Sequence, residues 1–185
     1  MYSNTIDINS SLAGFGIGLL AFFGFLVLAI LVMAIIGYIF QSLAFYKFMQ
    51  DRNLDNAFLA WIPVVRAYTI GKVYDDINEK QGKKTNFSII LLILNCAYWA
   101  YLLGLSKMLD ISFLGVGVSL GLPIAIFVLQ LICYNLIFKT YTPNNSSYFV
   151  LTVIFSIIIL VPFIPGLCLL KASKNQPVAE SKIDN

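Results

Sequence analysis

The sequence predicts an all-α, polytopic transmembrane helix bundle of about four hydrophobic segments plus an interfacial or re-entrant helix. Three observations predict it. Of 185 residues, 59% are hydrophobic and only 11% charged, whereas a soluble domain carries about 25% charged residues. Mean hydropathy is +0.86. The apolar residues also fall in charge-free runs near or above the ~20 residues that a bilayer crossing needs. A chain with so few charges cannot coat a water-facing surface, so lipid must cover much of it.

The first eleven residues contain Asp7 and no Lys or Arg. The positive region of a secretory signal is missing, so the first apolar segment is expected to stay in the mature protein. That segment, residues 12–40, carries no charge. It exceeds the ~30 Å of a bilayer core, so it must tilt or project, and it can run on to about Arg52. Gly14 and Gly18 place small residues four apart on one of its faces, as Gly117 and Gly121 do later. Such faces are expected to let helices approach closely.

Residues 55–72 read DNAFLAWIPVVRAYTIGK. Ala57 to Val65 would make a helix of only about 14 Å, less than half a bilayer core. Arg66 then interrupts, and an arginine at mid-bilayer costs at least about 2.5 kcal/mol. Pro63 frees a backbone carbonyl near the same depth. A full crossing is not expected on these grounds, and an interfacial or shallow re-entrant position is. Asp55 and Asn56 are candidate caps for a helix from Ala57. Trp61 and Tyr68 suit the headgroup layer. Arg66 and Lys72 are placed to reach lipid phosphates, or, for Arg66, a polar group of the bundle. Beyond Gly71 a solvated helix is expected, with Asp76–Lys80 and Glu79–Lys83 four apart in the favourable order.

Three further runs follow. Residues 87–105 suffice for one crossing. Residues 111–138 form another, with Pro123 predicting a kink, and a tight turn over 106–110 makes these two antiparallel neighbours. Residues 148–170 form the fourth, broken by Pro162 and Pro165. Its first part, to Val161, is about 21 Å as a helix, too short to cross alone. A kinked full crossing is favoured over a hairpin that returns Lys171 to its starting side. The membrane domain is expected to span 1–171, with 172–185 a polar, mobile tail.

Basic residues set the orientation, because they are retained on the cytoplasmic side. Lys47, Arg52, Arg66, Lys72, Lys80, Lys83 and Lys84 all fall between the first two spans. With the N-terminus outside, four crossings put eight of the 12 basic residues inside. The expected location is the cell membrane, with the 47–86 loop cytoplasmic.

The run YIFQSLAFYKFMQDRNLDNAFLAWIPVVRAYTIGKVYDD resembles a segment of small multi-spanning membrane proteins of Gram-positive bacteria. In those, a first span leads through a turn into a WLAWIP-like stretch. The likeness covers residues 38–76 and extends in style to PFIPGLCLLKASKNQP. It implies a membrane protein with a cytoplasmic loop and no particular reaction. Arg66 stands where those proteins often carry a polar amide.

The chemistry-bearing residues are few. There is no histidine, and the three cysteines, Cys96, Cys133 and Cys168, lie in apolar runs without metal-ligand spacing. Gly117-Val-Ser119-Leu-Gly121 fits a hydrolase nucleophile pattern but lacks its strand–turn–helix setting and its base. Asp75, Asp76 and Glu79 are candidates for a divalent-ion or catalytic pair, yet they sit among lysines as a mixed-charge solvated helix does. Asn95, Gln130 and Asn135 are the intramembrane polar residues, expected to be interhelical glue or, alternatively, a pathway lining. No Asp or Glu lies in any span, which counts against a proton- or cation-coupled carrier. No cofactor, metal or nucleic acid is implied. The expected function is non-enzymatic, exerted through another membrane component as an accessory subunit, immunity-type protector or lipid-interacting scaffold. Expected partners are membrane lipids and a second membrane protein or another copy of the chain. The alternative is a small transporter or channel for a neutral or anionic solute.

Overall fold

The computed structural model describes residues 8–105, 113–157 and 163–177. Among these, no strand occurs and the regular elements are helical. The helices are α1 (Ile8–Asp51), α2 (Arg66–Lys80), α3 (Phe87–Ala100), α4 (Phe113–Tyr141), α5 (Ser147–Ile157) and α6 (Phe163–Ala172). A short 3-10 helix, Ala57–Trp61, precedes α2, and a π-type turn, Tyr101–Leu105, extends α3. Three segments are long and apolar enough to cross a membrane: Phe15–Asp51, Phe87–Gly104 and Gly117–Tyr141. The chain is an all-α bundle of the membrane type. The turn expected over 106–110 lies outside the described residues.

Helix α1 is 44 residues long, with no proline to break it and in spite of the helix-disfavouring glycines it carries. Its apolar side chains prefer lipid, and in lipid every backbone group must bond within its own segment. It ends where Asn53 adopts a left-handed conformation, φ 53°. The amide of Asn53 then bonds the carbonyl of Gln50, and that of Leu54 bonds the carbonyl of Met49. This is a Schellman closure with asparagine in glycine's usual place. Helix α2 ends the same way at Gly82, φ 79°, with the Lys83 amide on the Asn78 carbonyl.

After Asp51 the chain turns back along α1. The Tyr38 hydroxyl donates to the Trp61 carbonyl at 2.5 Å, and Tyr38 lies about 20 Å along the helix from Asp51 at 1.5 Å per residue. Helix α2 then climbs again, so that Arg52 pairs with Asp76. The 55–65 stretch is therefore re-entrant relative to α1. The expected α-helix at Ala57 is instead a 3-10 turn of five residues. Asn56 spends its left-handed φ of 64° on the reversal, and neither it nor Asp55 caps the helix through a side chain. Ile62, preceding Pro63, is extended at φ −96°, ψ 115°, as sterics before proline require. That leaves no room for a longer helix.

The fourth apolar run, expected as one kinked segment, is not one helix. It forms two short helices that pack side by side: Lys171 lies over the Tyr148 ring at 5.4 Å, and Phe155 and Ser156 share a hollow with Pro165. As residue numbers rise on one helix they fall on the other, so α5 and α6 form an antiparallel hairpin; Pro165 lies within α6, and Pro162 falls outside the described residues. Helix α6 lies parallel to α1. An added Cβ at Gly166 would come 2.7 Å from the Gly37 carbonyl oxygen, while Ser173 and Lys174 border a hollow shared with Lys47 and Asp51. The tail does not begin at 172 as expected: Ala172 and Ser173 are buried, and the Asn175 amide donates to the Tyr141 carbonyl at 3.1 Å.

The core gathers at the end of the bundle where α1 and α4 finish. Phe45, Phe48, Met49, Ile70, Ile77, Ile137 and Tyr141 are all buried there. Phe45 stacks on Tyr134 at 5.9 Å and Phe48 meets Tyr141 at 4.6 Å. Helix α4 continues through Pro123 without a break. At the other end no side chain in the most apolar window of α1 is buried, and little of those in α3 and α4 is. The helices are thus held together at one end and present their apolar faces outward at the other.

Candidate functional site

The start of α2 and the α5–α6 hairpin line the same stretch of α1 and α4. Between them lies a cavity of about 370 Å³. Helix α1 supplies Ile30, Ala34 and Gln41, and α4 supplies Phe127, Gln130, Leu131 and Tyr134. The hairpin adds Phe155, Ser156 and Pro165, and Arg66 enters from the first turn of α2.

Local sequence dictates the position of Arg66. Pro63 starts the turn without needing a donor, and the Arg66 amide closes it on the Ile62 carbonyl at 2.8 Å. The side chain then projects towards α1, where the guanidinium carbon lies 4.8 Å from the centre of the Tyr38 ring. A cation over an aromatic face gains about 0.5–2 kcal/mol, well short of the cost of withdrawing a guanidinium from water. Its Nη1 is buried, and no described residue accepts a hydrogen bond from it. Among the described residues no Asp or Glu lines the cavity. The arrangement is a partly desolvated cation among neutral donors and acceptors, suited to holding an anion.

The other expected site residues scatter. Trp61 and Pro63 are exposed at the tip of the re-entrant stretch. Tyr68 and Lys72 border a separate, more polar hollow with Asp75, Glu79 and Lys84. Of the three intramembrane amides, only Gln130 reaches the Arg66 cavity. Asn95 donates to the Val64 carbonyl at 2.6 Å. Asn135 borders a third hollow with Asn78, Lys83 and Lys139. A shared pathway lined by all three is not assembled.

At the described positions the expected close helix approach is not made within the chain: an added Cβ at Gly18, Gly117 or Gly121 would meet nothing within 4 Å among the described residues. Gly14 lies in α1 outside the described side-chain environments. The close approaches occur instead at Gly166 and at Gly71, where a Cβ would stand 2.5 Å from the Ser88 amide nitrogen. Glycine at 71 lets α3 start directly against α2.

That contact explains Asp75. Its carboxylate accepts from the Thr85 hydroxyl at 2.7 Å, the Phe87 amide at 2.8 Å, and the Ser88 amide and hydroxyl at 2.9 and 2.6 Å. An acid on α2 thus caps the N-terminus of α3, a role the nearer Asn86 leaves unfilled. Asp76 is engaged by Arg52 and, at 3.2 Å, by Lys80. Among the described residues no cluster of potential metal ligands forms. Sequence reasoning missed Gln41, Ser156 and Tyr134 as neighbours of Arg66. The one usable signal was that an unpaired arginine in an apolar stretch needs polar company. The chain matches no family model, no curated protein and no solved structure.

Proposed function

We propose that this chain is a multi-pass membrane protein without catalytic activity that acts by binding another membrane component. The observation that carries the reading is the Arg66 cavity: a cation with an unsatisfied donor in a partly open hollow of apolar and neutral polar side chains, between the start of α2 and the α5–α6 hairpin. The fold also spends its acids. Of the three acidic candidates, Asp75 and Asp76 are committed to a helix cap and an ion pair. In this reading the N-terminus is outside and the 47–86 loop is cytoplasmic. The hairpin strengthens the charge argument, since Lys174 joins Lys47 and Asp51 at one end and adds to the basic residues retained inside.

The test is extraction of the tagged full chain from its native membranes in mild detergent, with comparison of membrane complexes in cells with and without the gene. Stoichiometric association with a membrane component, together with its loss or destabilisation on deletion, supports the proposal. Recovery of the chain in the aqueous fraction without detergent overturns it.

A carrier for an anionic solute is the second reading, favoured by the joint presence of Arg66 and Gln130 in the cavity. Anion flux in reconstituted liposomes that disappears in Arg66→Gln selects it. Absence of flux for phosphate and small carboxylates leaves the binding role.

A further inference from the structure

We infer that the Arg66 cavity holds the oxyanion headgroup of an anionic membrane lipid, with the acyl chains running along the exposed lower faces of α1 and α4. The inference rests on the membrane-binding reading above and names its ligand.

Depth carries the first part of the argument. Exposed apolar side chains on α1 run from Phe15 to Leu43, a band of roughly 40 Å that a tilted helix can match to a bilayer core. Arg66 sits level with Tyr38, about 7 Å inside the band's upper edge at 1.5 Å per residue. A guanidinium at that depth is close enough to the headgroup layer to draw a phosphate inward, and too deep to be hydrated as a surface arginine is.

Chemistry carries the second part. The buried Nη1 lacks an acceptor among the described residues, and buried charges are ordinarily paired. The neighbouring groups include donors that an oxyanion can use: the amides of Gln41 and Gln130 and the hydroxyls of Ser156 and Tyr134. An Arg–phosphate pair with two parallel hydrogen bonds is strong and directional.

Shape distinguishes a lipid from a free anion. The rest of the lining is apolar, with Ile30, Ala34, Phe127 and Leu131 on the helices that continue downward. Below the cavity α1 exposes Phe22, Phe23 and Phe25, and α4 exposes Leu120 and Ile124. A headgroup seated at Arg66 would leave its chains against this surface, which a free phosphate would leave uncovered.

The experiment uses the full chain purified in a neutral detergent. Thermal stability is titrated with dioctanoyl phosphatidylglycerol, dioctanoyl phosphatidylcholine and inorganic phosphate, since a ligand that binds the folded state raises the midpoint with concentration. The expected result is at least tenfold tighter binding of the glycerol lipid than of the choline lipid, and no shift with inorganic phosphate. Arg66→Gln is expected to weaken phosphatidylglycerol binding about tenfold or more, the loss of a charge-assisted bond, while Lys139→Gln leaves it unchanged. Equal affinity for the two lipids, or unchanged affinity in Arg66→Gln, overturns the site. Inorganic phosphate binding as tightly as the lipid overturns the lipid assignment. Should Arg66→Gln elute aggregated, Gln130→Leu and Ser156→Ala decide, and unchanged affinity in both overturns the proposal. A chain that needs detergent for extraction yet does not discriminate lipids sinks this inference alone, whereas an aqueous chain sinks the membrane reading with it.

Discussion

The side-chain amide of Asn95, on α3, donates to the backbone carbonyl of Val64 at 2.6 Å. Val64 lies in the turn between Pro63 and α2, where its carbonyl is left out of the helical ladder: the Tyr68 amide bonds Val65 instead. Non-helical backbone inside an apolar layer is tolerated only when something else satisfies it, and Asn95 does so here. Its place in a transmembrane run is thereby explained without a transported solute. Asn95→Leu is expected to cost about 1–3 kcal/mol of stability by stranding that carbonyl, read as a lowered unfolding midpoint in detergent. Lipid binding at Arg66 is expected to weaken with it, since Val64 positions the turn. A variant as stable as the parent would show the bond to be dispensable.

The glycines give a paired prediction with opposite signs. Gly71→Ala drives a methyl group into the backbone of Phe87 and Ser88. Backbone cannot move aside as a flexible side chain can, so a loss of about 3 kcal/mol or more is expected. Gly166→Ala collides with the Gly37 carbonyl and should loosen the hairpin from α1. Gly18→Ala, Gly117→Ala and Gly121→Ala meet open space and are expected to be neutral, or to stabilise by up to about 1 kcal/mol through helix propensity. Denaturant titration of the five variants separates the two groups.

What could be read from the sequence, and what could not, follows from the range of the forces involved. Charge-free runs such as that from Leu12 to Phe40 announce lipid because transfer energy is additive and local. The misfit of Arg66 and Pro63 was equally local, and it placed the 55–72 stretch short of a crossing. Gly18 and Gly71 look alike in sequence, however, and only the arrival of α3 makes one indispensable. Asp75 read as one acid among lysines because the donors it caps arrive about ten residues later, across the Gly82 reversal. The run at 148–170 favours a kinked crossing when read alone for a related reason: Pro162 and Pro165 interrupt a helical pattern but do not say which way the chain goes next. Contact of Gly166 with Gly37 does.

The Asp75 cap is a testable junction. Removing its carboxylate leaves the Phe87 and Ser88 amides at the start of α3 without their acceptor. Bonds from charged acceptors contribute about 1.5–3 kcal/mol each, and loss of a helix cap alone costs about 1 kcal/mol. Asp75→Ala is therefore expected to destabilise the protein by about 3 kcal/mol, and Asp75→Asn by less, because the amide oxygen still accepts. Asp76→Asn acts elsewhere, on the Arg52 pair, whose guanidinium side is only 1% exposed. Breaking one side of such a pair costs about 3 kcal/mol or more. Deuterium exchange should place the Asp75 effect at the start of α3 and the Asp76 effect at the end of α1.

The antiparallel arrangement of α5 and α6 makes the sharpest topological prediction. In a cysteine-free background, single cysteines at Lys47, Lys139 and Lys174 should be labelled by a membrane-impermeant maleimide from one side only. Lys174 and Lys47 border the same hollow, and Lys139 ends α4 beside the loop that begins the hairpin. A residue at the tip, such as Ser156, borders the Arg66 cavity and is only partly exposed. Cysteine there should react slowly from either side, and more slowly still when phosphatidylglycerol is added. A kinked crossing would give the reverse pattern, with Lys174 labelled from the side opposite Lys47 and Lys139. Glycosylation acceptors placed after Pro177 offer an independent readout, because a hairpin leaves them unmodified whenever the 47–86 loop is cytoplasmic. Modification there would mean that the last apolar run crosses the bilayer, and the cavity would lose Ser156 and Pro165.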